Sequence, residues 1–509
     1  MCRSGSSLPA ARRWRPAAPL LGGLSLCALS LLCAALPLSA QKERLGSLTF
    51  PNSGAPEAQA DFVQGVLLLH SFEYDDAAAA FRRAQQVDPD FALAWWGEAM
   101  THNHPIWAEQ DRDAARAILA RIPAPAPTPR EAMYLRALDE LYGEGPKAER
   151  DRRYMLAMRR LHEAHPDDRE ARAFYALSIL GLTNGVRDFA NYMRGAAVAQ
   201  PLFDENPEHP GAAHYLIHAF DDPIHAPLGL PAARAYGETV PDAGHAQHMT
   251  SHIFLALGMW DDVVRANVNA TRVADQDRAR RGVTVPNRCG HYPYWLHYGH
   301  LMREEWDAAT RIMAQCQRNQ ADPDRDDRGY YVSTRARQIL DTGDWDAADR
   351  WTQDLSDAPA SAPAYDFVNA YAALERGDPG PAAATLGTWG KGEDDPRLEI
   401  MRLELAALLA LHGGGGDEAV ALLLEAAALE ESLPLEFGPP ASLKPPHELL
   451  GEVLLKLGRP GEAVEAFQGA LALTPLRTPA LRGLEAAARA AGMETLAHDT
   501  ARQIQEIVP

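Results

Sequence analysis

Residues 58–91, AQADFVQGVLLLHSFEYDDAAAAFRRAQQVDPDF, and residues 444–477, KPPHELLGEVLLKLGRPGEAVEAFQGALALTPLR, are the two stretches that decide the fold. Gly65, Ala77, Phe81, Ala84 and Pro89 of the first recur as Gly451, Ala463, Phe467, Ala470 and Pro475 of the second, each shifted by 386 residues. Between them the chain reads as short helices separated by turn signals. Alternating runs rich in Val, Ile and Thr, which would argue for strands, are missing.

The spacing of these five residues resembles the tetratricopeptide repeat. In that family a 34-residue helix-turn-helix unit has small residues where its helices touch, an aromatic in its second helix and a proline at its end. Asp75-Asp76-Ala77, Trp260-Asp261-Asp262, Trp306-Asp307-Ala308 and Trp345-Asp346-Ala347 match the turn into a second helix. Units starting near residues 58, 92, 169, 210, 244, 290, 329 and 444 fit the template. The resemblance implies an all-α fold, an α-solenoid of helix-turn-helix repeats coiled into a right-handed superhelix, with the first helix of each unit lining a concave groove. The expected organisation is a signal peptide over 1–40, an N-terminal linker over 41–57, the solenoid over 58–490 and a C-terminal helix or tail over 491–509. The expected occupant of the groove is a protein, a peptide or a small-molecule ligand.

The N-terminal segment carries its own message. Arg12-Arg13-Trp14-Arg15 precede an uncharged stretch from Ala17 to Ala40 that ends in small residues before Gln41-Lys42-Glu43, the pattern of a secretory signal. The protein is therefore expected to be exported, periplasmic or secreted, and the rival reading is an uncleaved N-terminal membrane anchor. Net charge is −20, and the first forty residues hold four arginines and no acid, so the exported part sits near −24. Such a charge argues against nucleic acid or an anionic membrane surface as the main partner. Cys289 and Cys316 are the two cysteines left after export, and a bridge and two free thiols are both open.

Histidine is the anomalous residue. Fifteen of eighteen lie between His70 and His300, and seven fall in the 44 residues from His209 to His252. In the tetratricopeptide family the second, fifth, ninth, twelfth and thirteenth positions of each unit face the groove. The resemblance then puts His214 and His248 at the fifth position of consecutive units, His218 and His252 at the ninth, His245 at the second, and Asp221 and Asp222 at the twelfth and thirteenth. Spacings of three and four residues stack side chains on one helix face. His214, His218, His245, His248, His252 and Asp222 thus make a metal-ligand inventory for a transition metal such as zinc, copper or iron. The competing readings are an anion-binding or uncharged histidine-lined groove, and histidines that serve structure alone.

His70, His104, His291, Tyr294, Tyr298 and Arg337 are expected to line the same groove. Glu98, at a position that normally carries an apolar residue, needs a polar partner or reaches a site. Glu448 and Glu452, beside Lys444 and His447, read as a solvated acidic face. Neither His214-Tyr-Leu-Ile-His218 nor His248-Met-Thr-Ser-His252 has Glu after its first His, so the zinc-protease motif is absent, and no phosphate loop, dinucleotide fingerprint or nucleophile elbow is present. The function expected is an exported solenoid that binds a ligand or partner and carries a metal. The alternatives are a metal-dependent hydrolase or oxidase, with Asp222 or Glu98 as its acid or base, and a plain protein-interaction scaffold.

Overall fold

The computed structural model describes residues 44–123, 125–183, 187–283, 285–320, 327–390 and 395–508. The expected signal peptide lies outside them. The described chain is an all-α solenoid of 24 α-helices, and its one strand ladder pairs Asn103–His104 with Glu109–Gln110. Helices pack as consecutive antiparallel hairpins. Gln59–His70 pairs with Tyr74–Val87, Pro210–Phe220 with Ala226–Thr239, Gly244–Ala256 with Trp260–Arg280, His291–Met302 with Trp306–Asn319, and Pro446–Lys456 with Pro460–Leu473. The repeat starts inferred from sequence fall within two residues of these first helices.

The signature has a steric cause. The Phe81 ring, on the second helix of its hairpin, lies against Gly65 of its own first helix and Gly97 of the next. A Cβ at those glycines would meet the ring at 2.7 and 2.3 Å. Phe467 nests in the same way between Gly451 and Gly483, at 2.7 and 2.2 Å. Each unit thus buries an aromatic in a notch that only glycine leaves open, and Ala77, Ala84, Ala463 and Ala470 let the paired helices close around it.

Segments from both ends of the described chain pack against the repeats between them. Residues 44–57, expected to be a linker, pack on the solenoid. Leu45 and Phe50 are buried, and the Ser47 N–H donates to the Glu208 carbonyl at 3.0 Å. From the other end, Trp260 Nε1 donates to the Leu476 carbonyl at 2.8 Å, and the Thr478 hydroxyl donates to the Met302 carbonyl. Arg477, fully buried, donates to Glu448 at 2.8 Å, to the Tyr298 hydroxyl at 3.2 Å and to Asp341. Arg337, also buried, donates to the carbonyls of Leu443 at 2.7 Å, Ser442 at 2.9 Å and Pro440. Tyr298 and Arg337 therefore clamp one part of the solenoid to another and line no open wall. Glu448 is no solvated face either, being closed in between Arg477 and Lys444, whose Nζ also reaches Glu452 at 2.6 Å.

Cys289 and Cys316 are joined in a disulfide that ties the start of His291–Met302 to the helix Trp306–Asn319. Among the described residues, no helix is long and apolar enough to cross a membrane.

Candidate metal centre

Three consecutive first helices, Pro210–Phe220, Gly244–Ala256 and His291–Met302, bring six histidines together. His214, His218 and His245 form one triad and His248, His252 and His291 a second. In each, one ring nitrogen per residue lies within 4.8 Å of the other two. Both triads follow one rule: an i, i+4 pair from one helix is completed by a histidine at the start of the next. The triads abut, with ring centroids of His218 and His252, and of His245 and His248, each 6.4 Å apart.

Hydrogen bonds fix which nitrogens point inward. His214 Nδ1 donates to the His70 carbonyl at 2.7 Å, which leaves Nε2 as a lone pair. The Asn267 amide is oriented by its own N–H donated to the Val263 carbonyl, so its oxygen accepts from His248 Nδ1 at 2.8 Å. His252 Nδ1 donates to Asp221 at 2.6 Å. Nε2 of His214, His218 and His245 is shielded from solvent and meets no hydrogen-bond partner. Nε2 of His248 and His252 face each other at 3.1 Å, with an acceptor behind each Nδ1, so a cation, proton or metal, has to lie between them. Orienting acceptors behind ring nitrogens that converge on one point are the outer shell a metal site requires.

Burial pushes His214 down to about 3 and His218, His245 and His248 well below the ordinary range, and neighbouring histidines add to the effect. Such burial disfavours the charged form of these rings.

The surroundings are aromatic. Phe72 covers the first triad, its ring 4.3 Å from His214 and 5.5 Å from His245. Its φ of +58° is a left-handed conformation that a bulky residue adopts at a cost of order 1–3 kcal/mol, a form of strain that clusters at functional sites. Trp295 covers the second triad, 4.3 Å from His252, and Phe437 arrives from a distant loop at 5.7 Å. His291 stands at the exposed rim, where the Tyr330 hydroxyl meets its Nδ1 at 3.2 Å. Tyr294 lies beside Tyr330, ring centroids 6.3 Å apart.

The remaining candidates sit elsewhere. Asp222 takes no place in either triad. Its carboxylate accepts from Arg187 at 2.5 Å and pairs with His225 at 2.8 Å, contacts that hold it below the ordinary carboxylate range against the opposing effect of burial. The neighbouring Asp221 is the one that touches a histidine of the cluster. Glu98 is bound by Arg82 at 2.6 Å and Gln85 at 2.7 Å. His104 stacks on Tyr74 at 4.0 Å and lines a cavity of about 980 Å³, which Phe72 and Glu73 separate from the first triad. Glu73 accepts from the His245 backbone N–H at 3.0 Å, and burial holds its carboxyl up at about 7.

His70 belongs to another buried group. Its Nε2 donates to Glu170 at 2.7 Å and its Nδ1 accepts from the Tyr215 hydroxyl at 2.7 Å. His209 Nε2 donates to the other Glu170 oxygen at 3.0 Å, while its Nδ1 accepts from the Ala212 N–H. Every ring nitrogen there has a partner, so this cluster offers no free ligand. It braces His70, whose carbonyl orients His214.

By its sequence His291 belongs to the groove wall and not to the metal set, although it holds the second position of its unit as His245 does of its own. Phe72, Glu73 and Asn267 carried no motif that would have marked them.

No protein-family model and no curated protein matches the chain. Among solved structures it is similar to the APC/C hetero-tetramer Cut9–Hcn1, at 12% identity and a TM-score of 0.35 over 87% of this chain and 78% of that one. It is also similar to yeast Tom70, at 14% identity and 0.31 over 88% and 92%. A third similarity is to the TPR domain of P58(IPK), at 11% identity and 0.21 over 86% and 99%. At these values the likenesses bear on no site, and the all-α solenoid stands on its own helices and their glycine-aromatic notches.

Proposed function

We propose that this protein is a transition-metal-binding α-solenoid, exported to the periplasm or beyond by its N-terminal segment, that holds its metal on the triads His214, His218, His245 and His248, His252, His291. The observation that carries the reading is the set of buried Nε2 atoms of His214, His218 and His245, which converge and have no partner. A buried polar atom left unpaired costs about 1–3 kcal/mol. A plain interaction scaffold gives no return for three of them on one spot, whereas a metal ion satisfies all three. A role in binding a protein partner rests on the solenoid architecture alone, which hosts many functions.

A metalloenzyme is the second reading, favoured by the cavity of about 980 Å³ behind Phe72 and Glu73, large enough for a small-molecule substrate. Elemental analysis of the purified protein tests the primary proposal. A stoichiometric transition metal is expected, and the paired substitution His214→Ala with His248→Ala is expected to remove it. Protein that is metal-free as isolated, and takes up neither zinc, copper nor iron on reconstitution, overturns the proposal.

A further inference from the structure

Resting on the metal-binding reading above, we infer that the two triads are unequal. The first is a closed site that retains its ion, and the second keeps a coordination position open at the surface, where it takes a small anion. The difference lies in what covers each set of ring nitrogens.

Phe72, itself buried, lies over the whole of the first triad, its ring 4.3 Å from His214, 5.9 Å from His218 and 5.5 Å from His245. Tyr236 stacks on His214 at 5.4 Å, and Trp107 meets the edge of this group 5.7 Å from His245. Trp107 is exposed, but solvent goes no further inward, because Nε2 of all three histidines is shielded. An ion held there leaves only when an aromatic side chain moves aside, a local opening that costs free energy.

The second triad reaches the surface through one of its own ligands. His291 packs on His248 with ring centroids 4.4 Å apart, yet the residue is exposed. Tyr330 and Phe437 beside it are exposed as well, whereas Trp295 forms a buried wall 4.8 Å from His248 and 4.3 Å from His252. The rim ligand is nonetheless held in place. Cys289, two residues before it, is bridged to Cys316, and the Tyr330 hydroxyl meets its Nδ1 at 3.2 Å.

Each triad supplies three protein ligands, and a metal ion so held completes its shell with water or an incoming ligand where solvent can reach it. That condition is met at the second triad. Imidazoles are neutral donors, so a transition-metal ion there keeps positive charge even with Asp221 behind His252, and a small anion in the remaining position offsets it.

The test uses cobalt(II) as a visible probe in the metal-free full chain, with azide as the anion. Two cobalt(II) per chain are expected, and azide should change the absorption of half of them. Excess EDTA should withdraw the metal in two phases of equal amplitude, at least about tenfold apart in rate. His291→Ala, altered at the rim, should keep one cobalt and lose both the azide response and the fast phase. His245→Gln, with its folding checked by circular dichroism, should keep one cobalt that responds to azide and leaves in the fast phase. Phe72→Gly removes the cover and suits the positive φ, so it should speed the slow phase about tenfold.

Azide acting on both ions or on neither, release in a single phase, or a fast phase that survives His291→Ala would each overturn the closed and open pair. One cobalt per chain overturns it too, but leaves the metal-binding reading standing. A chain that takes up neither cobalt nor zinc, copper or iron removes both.

Discussion

Two kinds of histidine cluster lie side by side, joined where His214 Nδ1 donates to the His70 carbonyl. In the cluster of His70, Glu170 and His209, every ring nitrogen is paired, with Glu170, with the Tyr215 hydroxyl or with a backbone N–H. In the first triad the Nε2 atoms of His214, His218 and His245 converge and find nothing, and in the second those of His248 and His252 face only each other. Proximity of ligand atoms is the same in both, within 4.8 Å. What separates a brace from a candidate metal centre is the count of unsatisfied lone pairs, and that count assigns opposite roles to chemically similar residues.

The strongest way to break this contrast is to remove the carboxylate of the brace. Glu170→Ala leaves two buried imidazole N–H donors without an acceptor, and losing one partner of a buried ionic network costs about 3–5 kcal/mol. Urea unfolding of metal-free protein should show that loss. The double substitution His214→Ala with His248→Ala should cost less under the same conditions, because it breaks hydrogen bonds to the His70 carbonyl and to Asn267 and no contact to a carboxylate. Equal losses would erase the distinction.

A somewhat smaller effect appears on acidification. Burial would raise the Glu170 carboxyl, but His209 and His70 outweigh it and hold it at about 2, below its ordinary 4.5. Because the folded value is depressed, the stabilisation is full above pH 4.5 and is lost as pH falls from there through 2. A shift of that size corresponds to roughly 3 kcal/mol. His297, buried and lowered by that burial from 6.5 to about 4, acts in a higher window, its contribution being lost as pH falls from 6.5 through 4. Unfolding curves of metal-free protein at pH 7.5, 5 and 3 should therefore fall in two stages, with Glu170→Gln reducing the lower and His297→Gln reducing its share of the upper, which the other buried histidines also carry.

How much of this could be read from the chain depends on whether the determinant is local. The repeat was legible because Phe81 and Phe467 need Gly65 and Gly451 sixteen residues before them, a constraint written inside one unit. The stacking of His214 on His218 and of His248 on His252 was legible for the same reason, since helix periodicity fixes it. Which parts of a solenoid meet after several units depends on small rotations summed over all of them. No single unit records that sum. Hence Arg477 reaching Glu448, Asp341 and Tyr298, and Arg337 seizing the loop at Leu443, were invisible. His291 lay between the two cases, marked by its place in the repeat but joined to the triad only by packing.

The contrast sharpens further at Asn267, the acceptor that orients His248 as Glu170 orients His70. Asn267→Ala should leave the fold nearly intact and weaken metal binding about 10- to 100-fold, the usual effect of losing an orienting partner, whereas Asn267→Asp, which keeps the acceptor oxygen, should restore most of it. Competition with a chelator measures both. Unchanged affinity in Asn267→Ala would mean that packing against Trp295 and Tyr292, and no hydrogen bond, sets the ring.

The smallest effect is expected at Glu98 and Asp222, which sequence reasoning named as acid or base candidates. Both are bound by arginines, Arg82 and Arg187, and neither approaches a ring nitrogen of the triads. Arg82 is about half exposed, so its pairing with Glu98 is solvent-screened and contributes on the order of 1 kcal/mol or less. Glu98→Gln keeps the contact to Gln85 and should leave metal content unchanged. Asp222→Asn should act through His225 and through Arg187, which also donates to the carbonyls of His218 and Ala219 and so holds the end of the ligand-bearing helix. If either substitution abolished metal binding while the protein stayed folded, carboxylates beyond the triads would belong to the centre, and the line drawn between satisfied and unsatisfied clusters would have to be redrawn around them.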